Sequence, residues 1–125
     1  MKHAGLDYLH DVDVENLNYL IKEDRCLEIQ LARTPVDLGY APWNGRRLKI
    51  TLAGIALMRM HMLGHLAGGD GIDAWREDLS EEMASAVDEL RRNGLMVPAV
   101  TCRVVFRSGS EIEIVCENIS VAIDT

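Results

Sequence analysis

The chain has 125 residues, and its 20 acidic and 13 basic side chains give a formal net charge of −7. This length is typical of a single domain, residues 1–125, with a core of its own. The negative charge repels phosphate backbones and so argues against a nucleic-acid partner. The longest apolar stretch, around Ile55–Leu66, is too short and too interrupted to span a bilayer.

The charge is segregated along the chain. Residues 1–24 hold six acids and two bases, and residues 70–89 hold eight acids and one base. Residues 25–69 run the other way, with six bases and two acids. Charge gathered in this way favours a partner of opposite sign, because electric fields steer association without doing chemistry.

Two runs with apolar side chains at every second position predict an antiparallel hairpin with one wet face, and charged residues 22–25 separate them. The apolar residues of the two runs are Leu17, Tyr19, Ile21, Leu27, Ile29 and Leu31. Val12 and Val14 have the opposite parity, which predicts a bulge or a separate lead-in segment before the hairpin.

Asn44-Gly45 is the strongest local turn signal, because both residues tolerate a positive φ. It predicts a second hairpin that joins Val36–Trp43 to a strand carrying Leu48, Ile50 and Leu52. The alternation favours a strand over residues 47–60, although the unbranched side chains of residues 54–66 also suit a helix. Residues 68–71 are predicted to form a flexible loop.

An amphipathic helix is predicted at about residues 79–93. Its apolar stripe consists of Leu79, Met83, Ala86, Val87 and Leu90. Asp78 or Ser80 can cap its N-terminus, and Asp78 with Glu81 has the spacing of a capping box. Asn93-Gly94 is a typical C-terminal stop.

A third hairpin is predicted after Pro98, turning at Ser108-Gly109. Its first arm carries Val100, Cys102, Val104 and Phe106, and its second arm alternates Ile112, Ile114 and Cys116 with the glutamates Glu111, Glu113 and Glu117. Arg103 and Arg107 are expected to face glutamates across the strands. The fold class that follows is α+β, a mainly antiparallel β-sheet built from hairpins with one helix.

No arrangement of residues predicts catalysis, a cofactor or a metal site. Cys26, Cys102 and Cys116 lie in apolar runs without a CxxC spacing, as expected of buried thiols in a reducing cytosol. His61 and His65 have helical i, i+4 spacing, but the glutamate that follows the first histidine in zinc peptidases is replaced by Met62. An enzyme would require His10 or His65 beside Cys26 or a carboxylate in a cleft.

Two acidic groups are the candidate partner-binding sites. The first consists of Asp11, Asp13 and Glu15 on an extended segment, and the second of Asp70, Asp73, Glu77, Asp78, Glu81 and Glu82. The second group has Trp75 beside it as an aromatic anchor, because tryptophan is enriched at interface hot spots. Solvated strand edges and ordinary helix capping are the alternative explanation of both groups.

The layout resembles the small bacterial immunity proteins of contact-dependent growth inhibition and related polymorphic toxin systems. The likeness lies in His10-Asp11 before a hairpin, the Ser108-Gly109 turn, and the stretch Cys116-Glu117-Asn118-Ile119-Ser120-Val121. It implies a non-enzymatic inhibitor that binds a cognate toxin domain, often a basic nuclease. No contact residues carry over from the resemblance, so the acidic groups must supply them.

The alternative is a small-molecule-binding or structural module, possibly a homodimer, with a pocket near Trp43, Met60 and His61. Residues 1–7 lack the apolar stretch of a signal peptide, so a cytoplasmic location is expected.

Overall fold

The structure is a computed structural model that describes residues 6, 12–20, 25–34, 43, 45–62 and 71–124. These residues form the following elements in chain order: β1 (Val12–Leu20), β2 (Cys26–Leu31), β3 (Arg47–Ala53), β4 (Leu57–His61), β5 (Gly71–Arg76), α1 (Glu81–Arg92), β6 (Val100–Phe106), β7 (Glu111–Cys116) and β8 (Asn118–Asp124). Every strand pair is antiparallel. The predicted α+β class with one helix near residues 79–93 is confirmed.

The strands form one sheet in the order β4-β7-β6-β5-β1-β2-β3-β8. Strand β1 links the two halves of this sheet, since Val12 and Asp13 pair with β5 while Val14–Leu20 pair with β2. The register with β2 shifts between Val14 and Asn16. This irregularity is the bulge that the parity of Val12 and Val14 predicted, and the hairpin of β1 and β2 is confirmed.

A bent two-stranded ribbon joins the two ends of the sheet, where β4 pairs with β7 and β3 pairs with β8. After Gly54, which has φ 66, β3 continues into β4, and after Glu117 β7 continues into β8. The ladder persists around the bend, because the Ala56 amide donates to the Val115 carbonyl at 2.9 Å and the Glu117 amide to the Ala53 carbonyl at 3.0 Å. Strands that bend in this way carry the sheet around a corner.

The rolled sheet encloses one main core. Alternate residues of strands from both halves point inward, and the largest fully buried side chains are Phe106, Leu6, Leu27, Ile29, Leu31, Leu48, Ile50, Leu52, Ile72, Ile112 and Ile114. Burying each side chain of this size stabilises the fold by about 1.5–3 kcal/mol.

Helix α1 covers the outer side of β7. Its Met83 and Val87 pack on Val115, with Leu57, Leu79 and Val97 around them. Ser80 caps the helix by accepting the Met83 amide hydrogen at 3.3 Å, so the capping box expected of Asp78 and Glu81 is replaced by this cap. The predicted end at Asn93-Gly94 is confirmed, with Gly94 at φ 82.

The hairpin predicted at Asn44-Gly45 is described only in its second arm, strand β3, which pairs with β2 and with β8. The predicted first arm, Val36–Trp43, lies outside the described residues except for Trp43. Gly45 does have the positive φ, 70, that the turn signal required.

Candidate partner-binding surface

Strands β1 and β5 bring the two acidic segments of the sequence together. Asp13 lies opposite Gly71 across the ladder, and Asp73 follows two residues later in β5. Both aspartates are exposed. Asp11 and Asp70, predicted for the same surface, lie outside the described residues. The fold therefore places acidic residues that are distant in the sequence on neighbouring strands.

Two of the predicted carboxylates already have cationic partners. Asp13 forms an ion pair with Arg107, and Glu15 forms one with Arg47. All four side chains are substantially exposed, so solvent screening limits each pair to roughly 0–1 kcal/mol of stability. A partner that binds Asp13 or Glu15 must compete with an arginine of this chain.

Asp73 lies at a β-bulge. The register between β5 and β6 shifts between Ile72 and Ala74, which makes Asp73 the additional residue. The bulge puts Ile72 and Trp75, three positions apart, on the same inner side of the sheet, where they are 0% and 8% exposed. Asp73 itself points outward, and no basic side chain in the described part of the chain lies within ion-pair distance of it.

Trp75 is a core residue. Its side chain packs in the main core beneath β5, so a partner could reach it only by opening the fold. This burial contradicts the role of surface anchor predicted for Trp75. The alternation that would have revealed β5, and with it the inward direction of Trp75, is broken by the bulge at Asp73. Trp43 is also partly buried against the same core.

The two acidic residues before α1 are tied to β6. The Thr101 hydroxyl donates to the Glu77 carbonyl at 2.7 Å, and the Arg103 guanidinium lies 3.7 Å from the Asp78 carboxylate. Arg103 also lies 3.3 Å from Glu111, which confirms the expected contact between Arg103 and a glutamate of the facing strand. Both contacts position the start of the helix, but only the Asp78 carboxylate is engaged, since the Thr101 bond is made to the backbone of Glu77.

A buried carboxylate holds the start of α1 on the sheet. Glu113 is 2% exposed, and its two oxygens accept the Ser80 amide hydrogen at 2.6 Å and the Ser80 hydroxyl at 3.0 Å. Arg59, opposite Glu113 on β4, lies 3.3 Å from the same carboxylate. Glu113 alternates with the core residues Ile112 and Ile114, yet it is buried as well, because the helix covers it. Alternation alone cannot distinguish a covered outer face from a solvated one.

The outer side of α1 presents four exposed carboxylates, which we call the acidic helix face: Glu81, Glu82, Asp88 and Glu89. They lie away from Met83 and Val87, as helical spacing requires. Glu82 lies 3.0 Å from Arg59 in a largely solvated pair. For the other three, no basic side chain among the described residues lies within ion-pair distance.

The sequence-based site omitted Asp88 and Glu89. The signal that identifies them was present, since a helix with its apolar stripe at Met83 and Val87 must expose the side that carries these two residues. The predicted acidic group ended at the first helical turn, whereas the exposed side of the helix continues to Asp88 and Glu89.

A cleft of about 310 Å³ lies between the bent ribbon and the segment after α1. Its lining residues are Arg25, Gly54, Ile55, Ala56, Met96, Pro98 and Glu117. The Glu117 side chain lies against Gly54, where an added Cβ would approach its carboxylate group to 2.7 Å. The cleft is therefore bounded by one acidic, one basic and several apolar groups.

Two of the three cysteine thiols, those of Cys102 and Cys116, are buried. Burial raises the pKa of the Cys102 thiol far above its ordinary range, with Cys116 nearby adding to the effect, and burial raises the pKa of Cys116 to about 11. Both thiols are therefore protonated at neutral pH and are poor nucleophiles. None of the three cysteines forms a disulfide.

His61 is exposed at the end of β4, whereas His65 and His10 lie outside the described residues. Within the described ranges, no three side chains of His, Cys, Asp or Glu are grouped as metal ligands. The same part of the chain has no helix with the length and apolarity needed to cross a membrane. Met60 and His61 are exposed, and the cleft described above is lined by other residues.

Comparison with known proteins gives no relative: no family model, curated protein or solved structure matches the chain.

Proposed function

We propose that the protein is an immunity protein, which binds a cognate toxin domain of basic character in the cytoplasm and neutralises it without catalysis. The observation that carries the proposal is the acidic helix face, where Glu81, Asp88 and Glu89 are exposed without a cationic partner among the described residues. The layout of the sequence, with His10-Asp11 and the Cys116–Val121 stretch, supports the same class.

The acidic helix face suits a basic partner because its carboxylates stand on a fixed element. Glu113 holds the N-terminus of α1 through Ser80, and Met83 and Val87 hold its middle against Val115. A helix anchored at two points loses little additional conformational freedom on binding, which favours affinity. The exposed carboxylates accelerate the encounter with lysines and arginines of the partner.

The residues proposed to contact the toxin domain therefore differ from the two acidic groups predicted from the sequence. Glu81, Asp88 and Glu89 of the acidic helix face form the centre of the contact surface together with Asp73, since none of these carboxylates pairs with an arginine among the described residues. Asp13 and Glu15 belong to its rim, because each already forms an ion pair. A toxin that acts on nucleic acid has a basic substrate surface, and a row of carboxylates would occupy that surface in place of phosphates.

The test is binding and protection with the toxin domain encoded immediately upstream of this gene. Purified protein and toxin domain should form a complex of defined stoichiometry in calorimetry, and co-expression should rescue growth of cells that express the toxin domain. If neither binding nor rescue is observed, the protein is not the immunity partner of that domain.

A small-molecule-binding module is the second candidate, favoured by the cleft between the bent ribbon and Met96–Pro98. Its volume, about 310 Å³, is at the lower end of the range for ligand sites. A thermal-shift screen with metabolites distinguishes the two functions, because a ligand that fills the cleft raises the melting temperature without any toxin. The homodimeric form of this alternative would appear in sedimentation as a mass twice that of the chain.

A further inference from the structure

The start of β2 and the bend of the ribbon meet at the cleft of about 310 Å³. The Ile55 amide donates to the Arg25 carbonyl at 3.2 Å, which ties the residue before β2 to the bend. Arg25 has φ 37 and is the only non-glycine residue with a positive φ in the described part of the chain. A side chain rarely adopts this backbone conformation, and such outliers concentrate at functional sites.

Two opposite charges line the cleft without pairing. Arg25 and Glu117 both belong to its wall, yet they do not lie within ion-pair distance of each other or of another charged side chain among the described residues. The Glu117 amide donates to the Ala53 carbonyl at 3.0 Å, so the backbone that carries this carboxylate is fixed by the ribbon. The guanidinium is therefore available to an anionic group and the carboxylate to a cationic one.

Apolar side chains make up most of the remaining wall. Ile55 is 4% exposed and Pro98 is half-buried, so both present a fixed surface. Met96 is 98% exposed at the edge of the cleft. An unbranched methionine adapts its shape to what it contacts, so Met96 can close over an apolar group that enters the cleft.

We propose that the cleft binds a free amino acid with an aliphatic side chain. Arg25 pairs with its α-carboxylate, because a guanidinium matches a carboxylate with two parallel hydrogen bonds. Glu117 accepts hydrogen bonds from its α-ammonium group, and the apolar wall contacts its side chain. The site shares no residue with the acidic helix face, so it goes beyond toxin binding and gives the second candidate function its ligand class.

The charges around the cleft select a zwitterion. A ligand with an anionic group alone would place that charge near Glu117, and a ligand with a cationic group alone would place it near Arg25, so each would meet a repulsive charge. The exposed Arg91 and Arg92 precede Met96 in the last helical turn, and their charge favours the carboxylate end of the ligand. The volume, at the lower end of the range for ligand sites, suits a molecule as small as an amino acid.

The first test is calorimetry of the whole chain with L-leucine and three analogues that each lack one group. N-acetyl-L-leucine lacks the ammonium group, L-leucinamide lacks the carboxylate, and glycine lacks the apolar side chain. We expect L-leucine to bind with one-to-one stoichiometry and each analogue to bind about tenfold more weakly or less tightly still. If N-acetyl-L-leucine or L-leucinamide bound as tightly as L-leucine, the proposed recognition of a zwitterion would be wrong.

The second test assigns each charge to its residue. Arg25→Gln should weaken L-leucine binding about tenfold but leave L-leucinamide binding unchanged, because that analogue has no carboxylate to lose. Glu117→Gln should show the converse pattern with N-acetyl-L-leucine. Arg76→Gln is the matched control, since Arg76 is an exposed arginine of β5 that does not line the cleft.

An equal loss in Arg25→Gln and Arg76→Gln would overturn the assignment of Arg25. If L-leucine does not bind at millimolar concentration, the cleft is not an amino-acid site. Neither result bears on the toxin-binding proposal, which has its own test with the toxin domain.

Discussion

The Glu113 carboxylate on β7 accepts the backbone amide hydrogen of Ser80 at 2.6 Å, so the sheet itself supplies a cap to helix α1. The first amides of a helix have no partner within the helix, and a buried carboxylate satisfies one of them while also complementing the helix dipole. The same group accepts the Ser80 hydroxyl. The orientation of the acidic helix face therefore depends on a residue that is buried beneath the helix.

Replacing Glu113 should destabilise the protein more than replacing any exposed acid of this region. Glu113→Ala removes the acceptor of the Ser80 amide and hydroxyl, and we expect a loss of about 2–3 kcal/mol of unfolding free energy. Glu113→Gln keeps one oxygen acceptor and should lose less. Urea unfolding followed by circular dichroism measures both changes.

Glu82→Ala is the matched control, because Glu82 also contacts Arg59 but is exposed. It should change stability by less than about 1 kcal/mol. Equal effects of Glu82→Ala and Glu113→Ala would mean that Glu113 does not hold the helix.

Two glycines with positive φ should respond differently to alanine. Gly54→Ala at φ 66 has a strained backbone and a Cβ that meets Glu117, whereas Gly94→Ala at φ 82 has a strained backbone but open space. Each should lose about 1 kcal/mol from the backbone alone, and Gly54→Ala should lose more. In a Glu117→Ala background the additional loss should disappear, and its persistence would show that Glu117 is not its cause.

The free energy of unfolding should fall at alkaline pH, because the buried thiols ionise more readily in the unfolded chain. Burial raises the pKa of Cys116 from its ordinary value of 9.0 to about 11, so the unfolded chain releases this proton first. The contribution of Cys116 to the free energy of unfolding is fully present below pH 9 and is lost as the pH rises to about 11. Over this interval the free energy of unfolding should fall by about 1.4 kcal/mol per pH unit for one such thiol. Cys116→Ala should flatten this decline, and an identical slope in both proteins would contradict the assignment.

The strands and the helix with regular periodicity could be predicted from sequence. Leu27, Ile29 and Leu31 alternate without interruption, and the stripe through Met83 and Val87 has helical spacing, so local pattern and tertiary burial agree. The opposite parity of Val14 and Leu17 even located the bulge in β1.

Strand β5 and the role of Glu113 could not be predicted in the same way. The bulge at Asp73 puts Ile72 and Trp75 on one side at a spacing of three, which matches no simple strand pattern. Glu113 alternates like a solvent-facing residue, and only the docking of α1 on β7 buries it. Both failures arise where tertiary contacts, rather than local sequence, determine the environment.

The acidic helix face should control how fast the toxin domain associates. Asp88→Lys/Glu89→Lys reverses two of its carboxylates, and lysines near the end of a helix do not oppose its dipole. Ser120→Lys/Ala122→Lys places two lysines on exposed positions of β8 as a control. Each variant should keep the wild-type circular dichroism spectrum.

The decisive measurement is the association rate constant of these two variants and the wild type with the upstream-encoded toxin domain, at low and high salt. We predict that Asp88→Lys/Glu89→Lys slows association about tenfold or more at low salt and loses most of its salt dependence, while the β8 control changes far less. Association that is as fast and as salt-dependent in the helix variant as in the wild type would contradict the proposal that this face meets a basic partner.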